Sequence, residues 1–219
     1  MTKQVSHCYR HAQRPAQSRS HRWSIRLLTA GGLGLATILT LTPAPAAAGE
    51  PPLAVLTTDP PNDPVGMVAS ALTECSNRLN RQQRWSIARM IHDESTEQGY
   101  DPLFITALVQ VESGCSPTAR GGGAIGLTQL LPSTARGVAS RAGVTWRGPQ
   151  TLNDPEANLQ IGIQYLRELE ELLDDPYKAV AAYNMGPAPV LRMSSKRAQG
   201  VRYVRKVMAR YEALRELYA

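Results

Sequence analysis

Ala107-Leu108-Val109-Gln110-Val111-Glu112-Ser113-Gly114 closes an apolar segment that starts near Asp101 and Pro102. Ile105, Leu108, Val109 and Glu112 fall at i, i+3, i+4 and i+7, the spacing of one helical face. The segment is therefore predicted to be a helix whose acid lies on the buried side. At its C-terminal end the macrodipole is negative, and an acidic side chain there is disfavoured. Partial burial and the dipole push the same way, toward a raised pKa and a proton retained near neutral pH. A carboxyl group that keeps its proton is what a general acid needs.

Helical patterning continues on both sides of this stretch. Val68, Leu72 and Cys75 mark one helix, and Ile87, Met90 and Ile91 a second that ends near Gly99. The third runs from about 101 to 112, with Pro102 in its first turn. A Gly-rich loop, Gly121-Gly122-Gly123-Ala124-Ile125-Gly126, leads into a short apolar piece ended by Pro132. Ser133 is expected to cap a helix over residues 134–142. Asn153-Asp154-Pro155 opens a long helix to about residue 173, with Leu159, Ile163 and Leu166 among its apolar positions. Pro176 starts another through Tyr183, and residues 201–217 form the last. There is no alternating strand run of useful length and no internal repeat. The reading is an all-α (mainly α) fold, one globular domain over residues 66–219 able to bury an ordinary core.

The N-terminus reads differently. Lys3, Arg10, Arg14, Arg19, Arg22 and Arg26 precede an uncharged stretch from Leu27 to Ala48, and the first acid is Glu50. A basic region, an apolar region and an Ala-x-Ala site make residues 1–48 a signal peptide, with cleavage expected after Ala48. The rival is an uncleaved anchor. Gly31, Gly32, Gly34, Pro43 and Pro45 weaken it, since a span needs roughly 20 mostly apolar residues. Residues 49–65 read as a Pro-rich linker. The whole chain has 24 Lys+Arg against 18 Asp+Glu. Without residues 1–48 it is 18 against 18, so the high pI belongs to targeting and implies no nucleic-acid partner. Export leaves Cys75 and Cys115, an even pair in an oxidising compartment. A disulfide between them would tie an N-terminal helix to the loop after Glu112; two free thiols are the alternative.

Residue counts remove several chemistries. His7, His11 and His21 lie in the leader, so His92 alone remains. A histidine-based zinc site needs two or three such ligands. A Ser-His-Asp triad would have to use His92 beside Asp93, with no nucleophile elbow. A peptidase pairing Cys115 with His92 needs a free Cys115. The Gly-rich loop has no following Gly-Lys-Ser/Thr and is no phosphate loop. Among the acids, Glu168, Glu170, Glu171, Asp174 and Asp175 read as a solvated face, and Glu94 and Glu97 as exposed helix residues. Glu112 stands apart, as a catalytic acid or as a paired helix-end residue.

Residues 87–217 resemble the catalytic domain of the soluble lytic transglycosylases, relatives of goose-type lysozyme. Four motifs in order carry the resemblance: Glu112-Ser113; Gly123-Ala124-Ile125-Gly126-Leu127-Thr128-Gln129-Leu130-Leu131-Pro132; Leu152-Asn153-Asp154-Pro155 with Asn158 and Gly162; and Ala182-Tyr183-Asn184-Met185-Gly186-Pro187. Tyr203-Val204-Arg205-Lys206-Val207 resembles the family's final helix. Thr128 stands where the family usually has Met, which predicts an altered fit at the N-acetyl group. The resemblance implies a lysozyme-like fold and peptidoglycan glycan strands as the partner. Glu112 would be the acid and then the base, and Ser113 would bond near the glycan. Gly126 and Gln129 would line the muramic-acid subsite. Tyr183 would hold Glu112, and Asn184 would support the cleft, with Tyr203 a further candidate for the same wall.

The mechanism expected from this resemblance follows from what is missing. No second acid lies near Glu112 in any matched motif, so the two-carboxylate scheme of many glycosidases does not apply. The reaction expected is substrate-assisted, closing a 1,6-anhydro ring with no metal or cofactor. A hydrolytic muramidase using the same acid, or a non-catalytic glycan-binding scaffold, are the competing readings. Export to the periplasm or outside the cell, associated with the wall and without stable membrane insertion once the leader is cut, completes the set of expectations.

Overall fold

Four helices open on the same dipeptide, Asp-Pro. The Asp side chain caps the free N–H groups of the first turn, and proline, with no N–H of its own, fits the first helical position. In the computed structural model, which describes residues 63–75 and 79–218, Asp63 caps α1 (Pro64–Ala71) by accepting from the Gly66 amide at 3.2 Å. Asp101 caps α3 (Pro102–Ser113) through the Leu103 amide at 2.8 Å. Asp154 and Asp175 do the same for α5 (Pro155–Leu173) and α6 (Pro176–Met185). The remaining long helix of the first half, α2 (Arg81–Glu97), starts instead with a reciprocal box between Asn80 and Gln83.

The expected leader over residues 1–48 lies outside the described residues, as does the linker as far as residue 62. The linker was expected to reach residue 65, yet Pro64 and Val65 already belong to α1. A proline cluster hid a proline that opens a helix.

Two further expectations are corrected. Ser133 caps nothing: α4 (Pro132–Val138) begins at Pro132, with Leu131 as its N-cap, and ends four residues earlier than expected. The Gly-rich segment is a small hairpin, β1 (Arg120–Gly121) paired antiparallel with β2 (Ala124–Ile125). Two-residue strands carry no alternation for a sequence to show. The chain between the main helices is also more ordered than expected, with a 3-10 turn over Pro149–Asn153 and two short helices, α7 (Pro187–Val190) and α8 (Ser195–Gln199).

The core centres on α3. Phe104, Ile105 and Leu108 are at most 2% exposed and meet α1, α2 and the last helix, α9 (Arg202–Tyr218). Leu159, Ile163 and Leu166 bring α5 into the same cluster. Each such side chain contributes about 1.5–3 kcal/mol by leaving water. α9 clasps α3 along its length. Tyr211 donates to Asp101 at 2.6 Å, at the N-terminus of α3, and stacks edge-on against Phe104. Arg210 bonds Gln110 and Glu74 midway, and Tyr203 reaches the C-terminal end. On the other side of that end, a disulfide joins Cys75 to Cys115, the pairing expected from export. The helix that carries Glu112 is thus fixed at both ends and in the middle.

Candidate active site

Glu112 occupies the last turn of α3, which stops at Gly114 in the left-handed conformation (φ +56°). Its carboxyl is half-buried, and burial holds its pKa above the ordinary carboxylate range, because a charge there loses water. One hydrogen bond acts against this: the Tyr203 hydroxyl donates to Glu112 Oε1 and favours the ionised form. No other carboxylate of the described residues perturbs it. Burial, and next the charge of Glu112, push the Tyr203 phenol well up, so this donor keeps its proton.

The expected partner of Glu112 was Tyr183. Its ring is buried beside the site, and Glu112 adds to the burial that raises its pKa, but its hydroxyl donates to the Thr128 carbonyl at 3.0 Å. The phenol that holds the acid comes from residue 203. Tyr183 holds the loop instead.

That loop depends on one buried amide. Asn158, in the first turn of α5 and fully buried, accepts from the Thr128 amide at 2.9 Å and from its hydroxyl at 2.8 Å. Its Nδ2 donates to the carbonyls of Ile125 and Leu152. Every hydrogen-bonding position is used, which is the condition for burying an amide at low cost. Gly126 must be glycine here: its φ is +84°, and a Cβ would lie 2.2 Å from Asn158 Nδ2. Gln129 follows in a strained left-handed conformation (φ +49°), its Nε2 donating to the Ala119 and Gly126 carbonyls.

Thr128 does not face the cleft. Its side chain is fully buried against Asn158, and a Cβ on Gly162 would come within 2.5 Å of its hydroxyl. The change from the family's usual Met therefore alters packing beneath the loop. The remaining candidates divide. Ser113 spends its hydroxyl on the Val109 carbonyl at 3.0 Å. Asn184, at the end of α6, is exposed, and its amide is bonded to none of the described residues.

Burial alone does not single out Glu112. Glu94 was expected to be exposed and Glu170 to sit on a solvated face. Both are half-buried with pKa values raised by burial, and Glu170 accepts from Tyr100 at 2.9 Å. Glu112 differs in accepting from one phenol, Tyr203, and in lying close enough to a second, Tyr183, to raise its pKa. His92 bonds the adjacent Asp93, and Cys115 is in a disulfide, so the Cys–His peptidase has no thiol. A groove of about 870 Å³ runs between Val111, Ser113 and Gly114 of α3 and Lys206 and Arg210 of α9, and Glu112 does not line it.

The Transglycosylase SLT domain family matches residues 89–205. The endo-type membrane-bound lytic murein transglycosylase A of Klebsiella pneumoniae subsp. pneumoniae is 40% identical over 114 residues, covering 46% of this chain and 55% of that protein. The protein of the same name from Salmonella enteritidis PT4 is 40% identical over 117 residues, covering 47% and 57%. The chain thus spans little more than half the length of these relatives. Among solved structures, an inactive mutant of the lytic transglycosylase Slt from Pseudomonas aeruginosa superposes with a TM-score of 0.55 at 22% identity, over 71% of this chain and 30% of that one. The 70 kDa soluble lytic transglycosylase of Escherichia coli gives 0.51 at 23%, over 59% and 24%. At these identities the likeness concerns the fold, which is helical and lysozyme-like.

Proposed function

Because the chain belongs to the Transglycosylase SLT domain family, we propose that it is a peptidoglycan lytic transglycosylase that cuts the β-1,4 bond between N-acetylmuramic acid and N-acetylglucosamine. The observation that carries this reading is the environment of Glu112. Burial favours the protonated acid, and the Tyr203 hydroxyl is placed to stabilise the carboxylate once the proton has left. One residue is thereby suited to give a proton and then take one back.

In this reading Glu112 protonates the glycosidic oxygen, and the C1–O bond breaks with the electron pair leaving on that oxygen. The substrate's own N-acetyl oxygen stabilises the cationic C1. The Glu112 carboxylate then takes the proton from the C6 hydroxyl, and O6 bonds to C1, closing the 1,6-anhydro ring. Water is neither consumed nor released. Gly126, Gln129 and the exposed Asn184 line the sugar path, with Tyr183 and Asn158 setting the loop. Ser113, its hydroxyl engaged by Val109, contributes through its place beside Glu112. Residues 1–48 act as the export leader, in keeping with a disulfide-bonded domain outside the cytoplasm. No helix among the described residues is long and apolar enough to cross a membrane.

Digestion of purified sacculi followed by mass spectrometry tests the reaction. Anhydro-muropeptides are expected; products heavier by one water per cut would refute ring closure in favour of a hydrolytic muramidase. Glu112→Gln is expected to lower turnover by about 10²–10⁴-fold, the usual worth of a general acid–base group.

A further inference from the structure

Arg210 is unlike the other cations of its part of the chain. Among the described residues it is the one Lys or Arg between residue 176 and residue 211 that forms an ion pair. Its side chain is 29% exposed, and two of its nitrogens hold partners on different elements. Nη2 donates to Glu74 Oε2 at 2.6 Å, and Nε donates to Gln110 Oε1. Gln110 in turn donates through Nε2 to the Ala71 carbonyl at 2.9 Å, at the end of α1.

These bonds close a ring around the end of α3 that carries Glu112. Gln110 lies two residues before the acid. Glu74 precedes Cys75, and the disulfide from Cys75 returns to the chain at Cys115, three residues past the acid. Tyr203, which bonds Glu112, stands seven residues before Arg210 on α9. That is two turns, a rise of about 10 Å, on the same helix face. Apolar packing alone is non-directional and leaves a helix free to shift along its neighbour. A guanidinium fork bonded to two elements at set angles fixes one register. Burial and the Tyr203 bond account for the shifted pKa of Glu112, so the Arg210 charge reaches the acid only through that phenol. The other nearby phenol, Tyr183 of α6, is tied to the Thr128 carbonyl.

We propose that Arg210 is a positioning residue for the reaction, holding α9 in the register at which the Tyr203 hydroxyl meets Glu112. The proposal rests on the glycan-cleaving reading above. Gln110 and Glu74 are the anchors of this clamp, one on the helix of the acid and one on the segment that the disulfide ties beyond it. Tyr211 supplies the comparison. It joins the same two helices by its bond to Asp101, but at the other end of α3, eleven residues from Glu112. A general loosening of α9 on α3 and a specific loss of register at Tyr203 are therefore separable by experiment.

The test assays the full chain on purified sacculi, each variant well below its melting midpoint. In Arg210→Met the phenol should spend less time on Glu112. The alkaline limb of the pH–rate profile should then move to higher pH by roughly half a unit, part of what losing a charged hydrogen bond shifts a pKa. The same variant should lose about three- to tenfold in kcat through lost positioning. Carboxyl-carbon NMR of Glu112 should show the same upward titration shift without turnover. Combined with Tyr203→Phe, Arg210→Met should add nothing to the loss from Tyr203→Phe alone, because the clamp then has no hydroxyl to place. Arg210→Lys keeps a cation beside Glu74, and with it the fold, but has no planar fork, and should move the limb in the same direction. Tyr211→Phe should lower the melting temperature and leave the limb in place. A limb unmoved in both Arg210 variants, additive losses in the double variant, or an equal shift in Tyr211→Phe overturns the proposal. A parent chain that leaves sacculi uncut overturns the glycan-cleaving reading itself, a result distinct from a parent that cuts and an Arg210 variant that cuts identically.

Discussion

Replacing Asn158 with alanine is expected to unfasten the loop that carries Gly126 and Gln129. The side chain makes four hydrogen bonds from a fully buried position. Not all of its partners would be stranded. The Ile125 carbonyl also accepts from the Leu130 amide, and the Thr128 hydroxyl can still donate to the Asn158 backbone. Two groups would lose their partner outright: the Thr128 amide, and the Leu152 carbonyl, which faces a proline three residues on. Each stranded buried group costs about 1–3 kcal/mol, so the sum is about 2–6 kcal/mol. Against a total stability of about 5–15 kcal/mol that is a large share. For a domain of this size the melting temperature should drop by roughly 8–16 °C, taking the midpoint of that range. Thermal melts followed by circular dichroism would measure it, with glycan cleavage assayed well below the new midpoint. Activity should fall even where the protein is folded, since Gln129 loses its base. A loss of less than about 1 kcal/mol would mean that the loop does not hang on this amide.

Tyr203→Phe removes the one bond that favours ionised Glu112, so the pKa of that carboxyl should rise further. Because the acid must start protonated, the alkaline limb of the pH–rate profile should move to higher pH, and kcat should fall by roughly ten- to a hundredfold through lost positioning; a limb that moves to lower pH refutes the assignment. Glu112→Gln should separate activity from stability. A carboxyl whose pKa is raised by folding stabilises the fold fully below its unfolded value and loses that contribution as pH rises through the folded value. The variant should therefore match the parent in acid and melt above it at neutral pH, and a lower melting point at neutral pH would contradict burial as the cause. Converting Cys75 and Cys115 to serine opens a link across 40 residues, which should cost about 3–4 kcal/mol in chemical denaturation; an unchanged midpoint under non-reducing conditions would count against the link.

The fold was legible wherever a local rule controls structure. Asp101-Pro102, Asp154-Pro155 and Pro176 announce helix starts through capping and ring geometry, and the apolar spacing around Leu108 shows which side of α3 is inside. Pro64 was missed because the same residue type dominates the stretch before it. The hairpin at Arg120–Gly121 and Ala124–Ile125 is too short to have a period. In the site, helix position made Glu112 a candidate, and the four motifs in order weighed for the acid over a paired helix-end residue. Its true partner could not be found that way, because Tyr183 and Tyr203 are equivalent in type and both far along the chain. Only tertiary packing decides which hydroxyl arrives. The inward turn of Thr128 is of the same kind, since a loop residue has no periodicity to tell its face.

The clasp of α9 over α3 also sets an order of assembly. The acid and the hydroxyl that steadies it are 91 residues apart, and the helix bringing the second is the last one in the domain. Until Tyr203 has arrived and docked, Glu112 lacks its polar partner. A partly threaded or truncated chain carries the acid without the hydroxyl that steadies it. For a protein proposed to cut peptidoglycan, activity would then begin only when the whole domain has folded.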